Sequence, residues 1–237
     1  MEMGSKNPMV VMEDADLDLA VAHACNAAFG GTGQKCTAAS RLIVHDAIHD
    51  AFVEKLVAAA RALRVGHALE EGTQIGPVVS AAQLAQNLDY IVVGKAEGAE
   101  LLCGGDRLER PTEGHYMAPA VFAGTANTMR INREEMFAPI TCVIRAGSYD
   151  EALAIANDSA FGLTAGIMTR SLARASHFRA HARAGCVMVN LPTAGTDYHV
   201  PFGGRGASSY GPREQGRYAA EFYTTVKTAH VAAGAPQ

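Results

Sequence analysis

These 237 residues lack several features that would fix a partner at once. No block of Lys and Arg occurs, and the formal net charge is −4. Nucleic acid and anionic membrane both reward grouped cations, so neither is an expected partner. No apolar run approaches the roughly 18 residues that span a bilayer. The opening MEMGSKNP has no h-region of a signal peptide, so the expected location is cytoplasmic. The five cysteines, Cys25, Cys36, Cys103, Cys142 and Cys186, form no CxxC pair. That argues against a disulfide framework or a zinc knuckle, and no metal is expected. No GxGxxG follows a strand, so no dinucleotide fingerprint is present. PFGGRGASSYG has neither the glycine spacing nor the Lys of a phosphate loop and reads as a tight glycine turn.

What is present is an ordinary globular composition, 49% hydrophobic and 19% charged, with a mean hydropathy near zero and length enough for one large or two small domains. From Asp14, a capping candidate, Leu17, Val21, Cys25 and Ala28 recur on one helical face until Gly30-Gly31. RLIVHD reads as a buried strand. A second helix carries Ile48, Phe52, Leu56 and Leu63, and Ser80 caps a third with Leu84, Leu88 and Ile91. After GAELLCGGDR a loop-rich region is expected to about Glu135. Beyond it, ITCVIR, YDEALAIANDS, LTAGIMTR, SLARASHFRAHAR and GCVMVN alternate strand and helix. The pattern predicts an α/β fold, a mostly parallel sheet with helices on both faces. The closing EFYTTVKTAHVA, rich in β-branched and aromatic residues, reads as a strand for a partner subunit.

One cysteine has unusual surroundings. Cys36, in GGTGQKCTAAS, sits among glycines, polar residues and small side chains, whereas the other four lie in apolar stretches and read as small core residues. A nucleophilic thiol needs exposure, backbone N–H groups and usually a base. Gly33 permits close backbone approach, Thr37 and Ala38 leave room for substrate, and the loop amides could cradle an oxyanion. By itself this leaves a nucleophile and a harmless loop cysteine both open. No histidine stands out as a partner: His199 is the one loop candidate, and a Cys–His hydrolase is the weaker reading. Glu2, beside Gly4, is a candidate base, with a solvated terminal charge as its alternative.

In order and spacing, MEMGSKNP, GQKCTAASR with its cysteine 34 positions after the glutamate, REEMFAPI and VNLPTAGTDYHVPFGGRGASSYGPREQG resemble the aldehyde dehydrogenase superfamily over essentially the whole chain. The resemblance implies that Cys36 attacks the aldehyde, with the oxyanion held partly by its own N–H. Hydride then passes to the nicotinamide of NAD or NADP, leaving a thioester that water activated by Glu2 hydrolyses. It implies that Glu135 binds the nicotinamide ribose, that Phe137 positions the ring, and that Phe202 and Thr37 line the aldehyde channel. Asn190 and Pro201 read as structural. Two departures are visible: the family's Glu-Leu-Gly-Gly is Glu2-Met3-Gly4-Ser5, and its Phe-Gly-Pro is Phe137-Ala138-Pro139. Ala138 is expected to add a methyl next to the ribose site.

GTGQKCTAASR and NLPTAGTDYHVPFGG, with SSYGPREQGRYAAEFYT, look like the 2-oxoglutarate semialdehyde dehydrogenases, with succinate semialdehyde or broad aliphatic aldehydes as the alternative substrates. The family's chain is about twice as long, so the sequence resembles its C-terminal catalytic portion. Residues 1–221 correspond to the catalytic domain without the dinucleotide-binding domain, and 222–237 to an oligomerisation strand and tail. Homo-oligomers are expected of the full-length enzyme. The isolated chain is expected to behave as an inactive assembly module or, on a third reading, as a cofactor-free esterase.

Overall fold

The computed structural model describes residues 1–234. β1 (Asn7–Val11) is buried along its whole length, as a strand covered on both faces must be. In order follow α1 (Leu17–Phe29), β2 (Ala39–His45), α2 (His49–Ala62), α3 (Ala81–Ala96), β3 (Glu100–Cys103), β4 (Ala120–Ala123) and the one-turn α4 (Arg130–Arg133). Then come β5 (Ile140–Ala146), α5 (Tyr149–Asn157), β6 (Phe161–Gly162), β7 (Thr164–Met168), α6 (Leu172–His181), β8 (Cys186–Val189), β9 (Arg205–Gly206) and α7 (Ala219–Phe222). Seven strands form one sheet in the order β3-β4-β5-β2-β1-β7-β8, and β6 pairs with β9 in a separate two-stranded piece. Within the large sheet only the β3–β4 pairing is antiparallel. The expected mostly parallel α/β sheet is therefore present.

Side chains alternate across the strands and divide the core in two. Met9, Val11, Leu42, Val44 and Val143 pack with Phe52 and Leu56 of α2 and with the alanines of α1. On the opposite face Val10, Ile43 and Ile144 meet Ala152 of α5 and Phe178 of α6. Next to them Ile140, Cys142 and Phe122 meet Leu84 and Ile91 of α3. A fully buried cation spans this arrangement. Arg41 donates to the carbonyls of Lys6 (3.1 Å), Ile155 (3.0 Å) and Ala156 (3.0 Å) and to Asn127 Oδ1 (2.9 Å). Burial lowers its guanidinium pKa to about 10, and its bonds tie β1 and β2 to the end of α5.

Three sequence expectations change. The cap of α1 is Asp16, whose side chain accepts from Leu19 N, while Asp14 instead accepts from Thr169 Oγ1 and Arg170 N at the β7–α6 turn. The region before Glu135 contains β4, whose four residues are all buried and so show no alternation. Cys103 and Cys142 are core residues, but Cys25 and Cys186 are only half-buried, Cys186 because β8 is the sheet edge. Among the described residues, 224–234 carry no helix or strand, and Val226 and Val231 are 98% and 93% exposed. Residues 235–237 of the expected tail lie outside the described residues. No helix among the described residues is long and apolar enough to cross a membrane.

Candidate active site

Parallel neighbours start at the same edge of a sheet, and three adjacent strands here are each preceded by a segment of interest. Glu2–Lys6 lead into β1, Cys36–Ala38 into β2, and Glu135–Pro139 into β5. Since β5, β2 and β1 are neighbours in that order, the topology gathers Glu2, Cys36 and Glu135 at one edge. They are separated by up to 133 positions in the chain, yet both carboxylates are close enough to act on the Cys36 thiol.

Cys36 follows a kinked turn, Gly30–Gly33, in which Gly31, Thr32 and Gly33 all take left-handed backbone angles. Thr32 holds this conformation with its Oγ1 donating to Gly76 O at 3.2 Å. The thiol is half-buried. Burial, then the negative charge of Glu2, raise its pKa, and Glu135 adds to the effect more weakly. The backbone N–H groups of Cys36 and Thr37 oppose them by stabilising a thiolate. The thiol thus rests under opposed influences, with burial and two carboxylates against ionisation and two backbone amides for it.

Glu2 is exposed, and its place is set by pairing with a distant segment. Glu2 and Ser209 form an antiparallel bridge, Met3 N donates to Ser208 O (2.8 Å), and Tyr210 N donates to Met1 O (3.0 Å). Ser209 Oγ donates to Glu2 Oε1 at 2.7 Å, which leaves the second oxygen without a hydrogen bond among the described residues.

Glu135 is half-buried, and its Oε1 accepts from Ser5 N at 2.9 Å. Its Oε2 lies over Gly4: a Cβ there would stand 2.6 Å from that oxygen, so this approach needs glycine. No hydrogen bond among the described residues reaches Oε2. Phe137 has a left-handed φ of 52° and keeps 38% of its surface exposed. A small cavity of about 20 Å³, room for roughly one water, lies between Ser5, Lys35, Glu135 and Phe137. Ala138 lines the same cavity; it is 5% exposed and packs with Met136 and Ile140 in the core.

Thr37 is buried, and its carbonyl accepts from Thr193 Oγ1 at 3.0 Å. Phe202 is half-buried in the loop between β8 and β9. His199 is exposed and stacks edge-on with Tyr198, and no hydrogen bond among the described residues links any histidine to Cys36. Asn190 is structural, with a left-handed φ of 53° and a two-way amide bond to the Thr169 backbone at 2.9 Å each way.

Three further residues carry the site. Asn7 Nδ2 donates to Cys36 O and Ala38 O, both at 2.8 Å, and to Ser5 Oγ at 3.0 Å. Ser5 Oγ donates to the Cys36 carbonyl. With Thr193 they engage three consecutive carbonyls of the cysteine loop. Lys6 is fully buried with no hydrogen-bond partner for its Nζ among the described residues, and burial brings its pKa down to about 8. A polar run just before an apolar strand was the only local signal for these residues.

Residues 1–229 match the profile of the aldehyde dehydrogenase family. The chain is 44% identical over 233 residues to alpha-ketoglutaric semialdehyde dehydrogenase of Bacillus subtilis, covering 98% of this chain and 48% of that protein. Its fold superposes on an NAD-dependent aldehyde dehydrogenase from Sinorhizobium meliloti with a TM-score of 0.92 and 37% identity, over 100% of this chain and 46% of the other. It also matches a betaine aldehyde dehydrogenase from Staphylococcus aureus, solved with NAD+, at TM-score 0.90 and 32% identity, over 94% and 44% of the two chains. The chain spans about half the length of the relatives it matches.

Proposed function

The chain belongs to the aldehyde dehydrogenase family, and from that premise we propose that it carries the thiol, base and nicotinamide-side groups for oxidising 2-oxoglutarate semialdehyde to 2-oxoglutarate. The observation that carries the reading is the meeting of Cys36 and Glu2 at one sheet edge, where the Glu2 charge acts on the thiol. The choice of aldehyde is supported by the 44% identity to a semialdehyde dehydrogenase.

In this reading the Cys36 sulfur adds to the aldehyde carbon, and its proton passes to the Glu2 carboxylate. Glu2 is exposed and can release that proton to water before its next task. The Cys36 N–H offers the developing oxyanion a fixed donor. NAD or NADP, when bound, accepts the hydride. Glu135 Oε2, free of protein hydrogen bonds, suits a ribose hydroxyl, and the exposed Phe137 ring suits the face of a nicotinamide. Glu2 then takes a proton from the water that hydrolyses the Cys36 thioester, returning the thiol. Phe202 and Thr37 border the aldehyde's approach. Residues 1–221 form the catalytic unit, and the exposed segment from 222 pairs with a second copy.

NADH formation with 2-oxoglutarate semialdehyde, succinate semialdehyde and betaine aldehyde, against a Cys36→Ala control, tests the proposal. Turnover greatest with the first and absent in the control is expected. Equal rates in the control, or a preference for another aldehyde, would overturn the mechanism or the substrate respectively.

A further inference from the structure

Ser5 stands where the resembled family's motif has its second glycine, and it touches two of the three groups gathered at the sheet edge. Its backbone N–H holds Glu135, a contact that any residue except proline would make. Its hydroxyl does something a glycine could not. It is 5% exposed, accepts from Asn7 Nδ2, and donates to the Cys36 carbonyl.

The C=O and the following N–H of a trans peptide lie in one plane and point in opposite directions. The carbonyl of Cys36 and the amide of Thr37 belong to the same peptide unit, so fixing one fixes the other. Thr193 and Asn7 engage the next two carbonyls, of Thr37 and Ala38, and prevent the unit from turning with its neighbours.

We propose that Ser5 is a positioning residue for Cys36, its hydroxyl clamping the Cys36 carbonyl so that the Thr37 N–H of the same peptide unit points at the sulfur. The clamp matters because burial and two carboxylates all work against the thiolate, and the amides are the groups that favour it. Asn7 alone leaves the Cys36 carbonyl with one side-chain donor, which it shares with the Ala38 carbonyl. With Ser5 the carbonyl is held from two sides.

The inference rests on Cys36 being the reactive thiol of the proposed function. Alkylation reads that thiol directly, so a missing dehydrogenase activity and a missing Ser5 effect are separate results. The rate of Cys36 modification by iodoacetamide, followed by peptide mass spectrometry from pH 6 to 10, would be compared in the wild-type chain, Ser5→Ala and Ser5→Thr. Ser5→Ala is expected to move the midpoint upward by about half a pH unit or more, and Ser5→Thr, which keeps the hydroxyl, to restore it. An unchanged midpoint in Ser5→Ala, or a shift that Ser5→Thr leaves in place, would overturn the proposal. If Ser5→Ala does not fold, the unaltered chain still decides. Its Thr37 amide resonance should titrate with the Cys36 midpoint, and an amide indifferent to that ionisation would overturn the assignment.

Discussion

Gly33 rests directly against the backbone carbonyl of Ala138: a Cβ at position 33 would fall 2.1 Å from that oxygen. This contact brings the cysteine loop against the loop of Glu135 and Phe137, and Gly33 reaches it with a φ of 64°. Gly33→Ala meets both obstacles, a left-handed backbone and a neighbour that cannot swing away. A loss of about 2–4 kcal/mol is expected, together with slower alkylation of Cys36 in the folded variant. A denaturant midpoint equal to the wild type would show that the two loops part at little cost.

Glu2→Gln should move two readouts in opposite directions. The Glu2 charge raises the Cys36 pKa, so its removal lowers the pH at which the thiol is alkylated. Aldehyde turnover, which needs a proton acceptor, should fall by roughly 10²–10⁴. Faster alkylation with unimpaired turnover would leave Glu2 as a neighbouring charge and no base.

Lys6→Met probes the orphaned ammonium. The folded pKa of about 8 lies below the unfolded 10.5, so between these values the unfolded chain binds more protons. Stability from this group therefore rises with pH across that window, by about 3 kcal/mol in all. Below pH 8 the full penalty of burying the charge applies. Lys6→Met should accordingly gain most over the wild type near pH 7, and the gain should shrink toward pH 10. Urea unfolding at several pH values gives the difference curve, and a flat curve would mean that Lys6 titrates alike in both states.

Arg41→Met removes the donor to three main-chain carbonyls and to Asn127. Buried carbonyls left unpaired cost about 1–3 kcal/mol each, so a loss of at least about 3 kcal/mol is expected. The damage should extend to the site, because one of those carbonyls belongs to Lys6, next to Ser5. Thermal unfolding checks the first statement and the Cys36 alkylation rate the second.

Much of the fold could be read locally. Phe52 and Leu56, or Leu84 and Ile91, recur at helical spacing and are buried as that spacing predicts. β4 escaped because a four-residue run buried on both sides carries no alternation to distinguish it from loop. Asp14 was the expected cap, but Asp16 takes that place while Asp14 is engaged by Thr169, 155 positions away. The site divides in the same way. Cys36, Glu2, Glu135 and Phe137 were legible through the motif resemblance, whereas the bonds of Ser5 and Asn7 to the cysteine loop span 29 to 31 positions and leave no local trace.

The bond between Glu2 and Ser209 also orders events in time. The two residues are 207 positions apart, so at about 5–20 residues per second the ribosome delivers the serine roughly ten to forty seconds after the glutamate. From the synthesis of Cys36 to the end of that interval, the thiol exists without its carboxylate in place. A nascent chain therefore passes through a stage in which the nucleophile has been synthesised but is not yet paired with a base.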